Sequence, residues 1–177
     1  MGNEELPKFD ERGCLPEGTY NPSVEEFIER FVNITERRKE LFEKYQQFTK
    51  LCNQAKGIDQ HFLDGSYVTD KEEPGDIDLL LTFNDDVYDS DMTYNSYFEI
   101  TRQREKMKEE YEAHVFFAKN TTDADPIDLQ IFWKKEKKKV LEWWSRFYID
   151  KENEIIDDKK KGFIVFNKDE LQQIEVW

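Results

Sequence analysis

The chain has 177 residues, 26 of them basic and 40 acidic, for a formal net charge of −14. That length suits one domain and excludes two full catalytic domains, and the acid surplus repels phosphates at long range, which disfavours a large nucleic-acid partner. Only 37% of the residues are apolar but 15% are aromatic, too many for a disordered chain, and no apolar run is long enough to span a membrane; the N-terminus also lacks a signal peptide's basic and apolar regions, so a cytoplasmic location is expected.

Residues 1–22 read as an N-terminal arm lying over the surface, because Gly13, Pro16, Gly18 and Pro22 interrupt it too often for a long helix or strand. A single domain, 23–177, follows. Ser23 with Glu26 three residues later forms a capping-box pattern, and Val24, Phe27, Ile28, Phe31 and Val32 then recur at helical spacing. Leu41, Phe42, Tyr45, Phe48, Leu51 and Cys52 form the stripe of a second helix that ends near Gly57. Ile58 to Leu63 and Ile77 to Phe83 read as strands, about Asn95 to Ala113 as a third helix through Tyr97, Ile100, Met107 and Tyr111, and Val115–Ala118 and Ile127–Trp133 as two more strands. Val140, Leu141, Trp144, Phe147 and Tyr148 mark a fourth helix, and Gly162 opens a late strand, Phe163–Phe166. The fold class expected is α+β, a mixed sheet packed against helices. Cys14 and Cys52 stand apart with no CxxC pairing and read as free thiols.

Three features coincide between Leu63 and Leu81. Asp76 and Asp78 are one residue apart in a strand pattern, so both carboxylates project from one face. Their neighbours Ile77, Leu79, Leu80 and Leu81 are apolar, so the pair stands at the lip of a buried strand, where unpaired like charges are costly and a hard divalent ion, Mg²⁺ or Mn²⁺, relieves them. Gly65-Ser66 directly follows a strand, and a glycine's close backbone approach with a serine hydroxyl suits a phosphate. Phosphoryl transfer with two ions asks for a third carboxylate from a neighbouring strand. Asp128, between Ile127 and Leu129, is the candidate, and Asp125 before Pro126 reads as a turn residue. His61 and His114 read as packing or capping residues rather than bases. The lysines of 134–139 read as a solvated face, with those of 159–161 a second basic cluster.

Gly65-Ser66, nine intervening residues, Asp76-Ile77-Asp78 and a later acidic residue between apolar neighbours together resemble the signature of the DNA polymerase β-like nucleotidyltransferase superfamily. Gly-Cys-Leu-Pro-Glu-Gly at 13–18, residues 63–71 and Lys161-Gly162-Phe163-Ile164 are in turn similar to bacterial proteins described only as nucleotidyltransferase-like. The resemblance implies a nucleotidyltransferase-like sheet, with Gly65, Ser66 and Lys71 at the nucleotide's phosphates and Asp76, Asp78 and Asp128 as metal-binding catalytic residues. Lys71 is the first cation after Gly-Ser, where that superfamily often carries an arginine closer by. The implied activity moves a nucleoside monophosphate from an NTP to an acceptor hydroxyl of a protein, an RNA end or a small molecule and releases pyrophosphate, with Mg²⁺ or Mn²⁺ as cofactor. The alternative keeps the fold without the chemistry: a nucleotide-binding or antitoxin-like module acting through a protein partner or a homodimer, as in toxin–antitoxin or phage-defence pairs.

Overall fold

A computed structural model of the chain describes residues 5–55, 57–84, 100, 102–123, 125–145 and 160–177, with the backbone alone at 143–145. Helix α1, Val24–Phe27, starts at Ser23, whose hydroxyl accepts the Glu26 amide at 3.1 Å, and continues as a π-helical turn through Ile28–Val32. The Glu26 carboxylate does not close the expected capping box. It takes the Leu6 amide at 2.6 Å and so anchors the arm. Helix α2, Glu36–Gln54, begins at the Thr35 cap and buries Leu41, Phe42, Tyr45, Phe48 and Cys52.

A five-stranded mixed sheet carries the rest. The strands are β1 (Thr19–Tyr20), β2 (Ile58–Asp64), β3 (Ile77–Phe83), β4 (Ala113–Lys119) and β5 (Phe163–Asn167), in the order β1-β5-β2-β3-β4. β2 runs antiparallel to both β3 and β5, while β1 with β5 and β3 with β4 are parallel. Helix α3, Arg104–Tyr111, precedes β4; α4, Ile127–Ser145, follows it; and α5, Lys168–Val176, follows β5, with the Glu170 carboxylate accepting the Asn167 amide at 2.9 Å.

Strand alternation gives the sheet two faces. Leu63, Ile77, Leu79, Leu81, Val115, Ile164 and Phe166 point into the main core, which they share with α1, α2, α3 and α5. Its aromatic side chains interlock: Phe27 sits 5.2 Å from Phe31 and 5.0 Å, edge-on, from Phe166. Phe62, Leu80, Ala118, Phe163 and Val165 point the other way and, among the described residues, are covered by α4 through Trp133, Val140 and Leu141.

Two expectations change. The segment Ile127–Trp133 is no strand: it is the first half of α4, continuous with the helix expected further on. Pro126 suits a first helical turn, where its missing amide hydrogen costs nothing, and the Gln130 amide bonds to the Pro126 carbonyl at 3.0 Å. Ile127, Ile131 and Phe132, which a buried strand would hide, are 75%, 63% and 51% exposed. The arm does not lie over the surface either. Cys14 and Leu15 are buried, the Gly162 amide bonds to the Leu15 carbonyl, and the arm ends as edge strand β1. Residues 91–99, Phe147, Tyr148 and Lys159, with the side chains of Trp143 and Trp144, lie outside the described residues. Cys14 and Cys52 are free, buried thiols, and among the described residues no helix is long and apolar enough to cross a membrane.

Candidate functional site

Because β2 and β3 are antiparallel, the end of one meets the start of the other. Asp64 lies directly opposite Asp78, and the parallel β4 places His114 on the other side of Asp78. Residues paired across a sheet share a face, so Asp64, Asp78 and His114 stand together on the face that α4 covers, with Asp76 two residues before Asp78 on the same side. His114 Nδ1 is 3.2 Å from Asp78 Oδ1. Lys161, just before β5, is buried, and its Nζ lies 2.9 Å from Asp64 Oδ1. At one end of the sheet, three carboxylates, a lysine and an imidazole thus converge.

Gly65 turns the chain out of β2 into a 3₁₀ turn, Gly65–Val68, with φ of 75°, a left-handed conformation that favours glycine. It has a second requirement as well: a Cβ there would collide with the Asp78 carboxylate. The turn therefore brings bare backbone against an acid, and Ser66, half-buried, follows. Lys71 is exposed at the far end of the loop.

Burial raises Asp78 to about 6, with Asp76 and Asp64 pushing it further in the same direction, against the pull of His114 and Lys161. Asp64 is also raised, by burial first, although Lys161 and the Gly65 amide oppose the shift. Such a cluster is short of positive charge by its own geometry. Asp76 and Asp78 fit Mg²⁺, which is ordinarily held by one or two carboxylates, waters and a substrate's phosphates rather than by a full protein cage. Among the described residues no group of three or more His, Cys, Asp or Glu is arranged to hold a metal ion by itself.

The loops that carry these side chains are held by two consecutive arginines at the start of α2. Arg38 is fully buried and donates to the carbonyls of Phe31 (2.8 Å), Tyr67 (2.7 Å), Thr69 (2.6 Å) and Lys71 (2.8 Å). Arg37 donates to the carbonyls of Pro74 (3.2 Å) and Gly75 (2.6 Å), just before Asp76. Arg37 also pairs with Glu112 at 2.9 Å, and Lys44 with the same carboxylate at 3.0 Å. Glu112 is the left-handed residue that caps α3 two positions before His114, and its carbonyl accepts the Ile77 amide. Nothing in the periodicity marked Arg37 and Arg38, which fall on the charged background of a helix. His114 opens an alternating strand opposite Asp-x-Asp, a signal visible only once the parallel register is known.

Asp128 is not part of this group. It is exposed in the first turn of α4, just past Asp125, which Lys119 holds by an ion pair at 2.6 Å at the far end of β4. Five steps of strand, from His114 opposite Asp78 to Lys119, at about 3.3 Å each put that end roughly 17 Å from Asp78. Of the expected site residues, the structure brings together Gly65, Ser66, Asp76 and Asp78. His61 is a packing residue as expected: it is buried, with Nδ1 3.1 Å from the Tyr45 hydroxyl, and burial lowers it to about 3.

Residues 7–167 match a family of unknown function, DUF6932, and the chain belongs to it. No curated protein and no solved structure matches the chain.

Proposed function

We propose that this member of DUF6932 is a metal-dependent nucleotidyltransferase whose site is the carboxylate end of β2 and β3. The observation that carries the reading is the half-buried Asp78, raised to about 6 beside Asp76 and Asp64, at a glycine turn with no room for a side chain. Asp76 and Asp78 would hold Mg²⁺, which when bound neutralises phosphate charge and polarises the phosphorus toward attack. The chain's own part is positioning: the Gly65–Ser66 backbone approaches the phosphates, and Arg38 fixes the loop that presents them. His114, half-exposed beside Asp78, replaces Asp128 as the third polar group of the site. Its imidazole is placed to accept an acceptor hydroxyl's proton. The test is transfer of label from α-labelled NTPs in a cell extract with Mg²⁺ or Mn²⁺. Asp76→Ala/Asp78→Ala abolishes transfer, His114→Gln lowers it by about 10²-fold or more, and Asp128→Ala leaves it unchanged. Equal labelling by the double variant and the wild type refutes the proposal.

A second reading, a nucleotide-binding or antitoxin-like module acting through a partner, is favoured by two observations. Asp128 is remote from the group, and Ile127, Ile131 and Phe132 are exposed together on α4. Calorimetry without Mg²⁺-NTP binding, combined with a tight complex on co-purification, would select it.

A further inference from the structure

α4 starts at the end of β4 away from the carboxylates and runs back over the sheet. From Ile127 to Leu141 it covers about 20 Å at 1.5 Å per residue, the length of β3, so its second half reaches the carboxylate end. There it faces the arm and β5 across a groove of about 470 Å³, lined by Lys134, Lys137, Lys138, Leu141, Lys161 and Phe163. The volume is that of a small-molecule site.

The charge of this groove runs against that of the chain. Its acids are engaged: Glu17 pairs with Lys160 at 3.1 Å and Glu142 with Lys138 at 3.5 Å. Lys134 and Lys137 have no carboxylate partner among the described residues, although acids outnumber bases 40 to 26. Lys137 is half-buried with its Nζ 4.8 Å from the centre of the Phe62 ring, and burial lowers its pKa. A partly desolvated ammonium resting on a ring and lacking a counter-charge is costly unless an anion arrives. Phe163 and Leu141 give the groove an apolar floor. Lys161 joins it to the site, since the same side chain pairs with Asp64.

We propose that this groove binds a small organic phosphate, its anion between Lys134, Lys137 and Lys138 and its uncharged part on Phe163 and Leu141, and that this molecule is the acceptor. The acceptor role rests on the transferase reading; the binding does not. A nucleic-acid strand fits worse, because the groove holds one small molecule and the protein around it is acidic.

The experiment is calorimetry on the full chain in chelator, which silences any metal-dependent site. The probes are AMP, ribose 5-phosphate, adenosine and a single-stranded RNA of about 12 nucleotides. Both phosphates bind with Kd below about 1 mM and adenosine does not. Lys134→Gln/Lys137→Gln weakens them at least about tenfold, Lys137→Arg retains them, and Asp76→Asn/Asp78→Asn retains them too. Glutamine keeps the stem over Phe62, and the arginine variant separates lost charge from lost packing. No phosphate binding, or equal binding by the glutamine variant, overturns the groove, as does RNA binding tighter than AMP and sensitive to the same lysines. With Mg²⁺ and an NTP, the glutamine variant raises KM for the phosphate acceptor and leaves KM for the NTP unchanged. Phosphate binding without any transfer overturns the transferase reading, and with it the acceptor role, while the groove stands.

Discussion

Replacing Arg38 by Met keeps most of the buried volume and removes every donor. Four carbonyls, those of Phe31, Tyr67, Thr69 and Lys71, then lose hydrogen bonds of 2.6 to 2.8 Å. Stranding a buried acceptor costs about 1–3 kcal/mol. The low end applies, because Asp70 and Lys71 are exposed and water can enter the loop once the guanidinium is gone, which gives about 4 kcal/mol in all. Release from burying a guanidinium, whose pKa burial depresses, offsets part of that, so about 3 kcal/mol is the expected net loss. At about 2–4 °C per kcal/mol for a chain of this size, Tm falls by roughly 6–12 °C. Urea unfolding measures the loss, and amide exchange locates it. The Asp70 amide, bonded to the Gly13 carbonyl at 2.9 Å, exchanges faster in the variant than the amides of β3 do. Arg38→Lys, with three donors on a point charge instead of a fork of five, recovers less than half. A loss under about 1 kcal/mol, or exchange accelerated uniformly across the fold, would refute the claim that Arg38 holds this loop.

Gly65→Ala forces a side chain into a left-handed position and against the Asp78 carboxylate; the backbone alone costs about 1–2 kcal/mol, and the proposed function requires that Mg²⁺-dependent nucleotide binding fall further than stability does. Asp78 is raised from 3.8 to about 6, so the folded state binds the extra proton and stability declines as pH rises from about 4 to about 6. Asp78→Asn in chelator therefore stabilises the protein at pH 7 by up to about 3 kcal/mol and has no effect near pH 3, as thermal melts across the pH series will read; a variant less stable at pH 7 would refute this. His61 has the opposite sign. Its pKa is lowered from 6.5 to about 3, so stability is lost as pH falls through that window, and Tyr45→Phe/His61→Leu flattens the acid limb by about one proton.

The helices and central strands were legible because their residues face one way. Ile77–Phe83 is bounded as its apolar run implies, and the stripe from Leu41 to Cys52 is the buried face of α2. Ile127–Trp133 misled because alternating apolar residues satisfy a strand pattern as well as a half-covered helix; what decides is that α4 lies on a thin layer of the sheet and leaves Ile127 and Ile131 in solvent. Asp-x-Asp and Gly-Ser were legible as local patterns, and antiparallel pairing of β2 with β3 joins them. Asp64, His114 and Lys161 were not, since each enters the site through register with a strand distant in sequence.

Arg37 and Arg38 show why helix position matters here. Cations in a helix's first turn oppose the macrodipole, a cost of about 0.3–1 kcal/mol each, and acids are favoured there. Two arginines follow the Thr35 cap nonetheless, and Thr35 itself donates to the Glu72 carbonyl at 3.0 Å. Successive residues on a helix point about 100° apart, so Arg38 turns inward to the loop after Gly65 while Arg37 reaches sideways to Pro74, Gly75 and Glu112. One helix end thereby holds both halves of the site, the glycine turn and the strand start at Asp76. Carboxylates this close push their own loops apart, and backbone carbonyls fixed from behind by guanidinium resist that without adding counter-charge to the site. Repulsion among Asp64, Asp76 and Asp78 thus remains, and it is this repulsion that a cation would relieve under the proposed function.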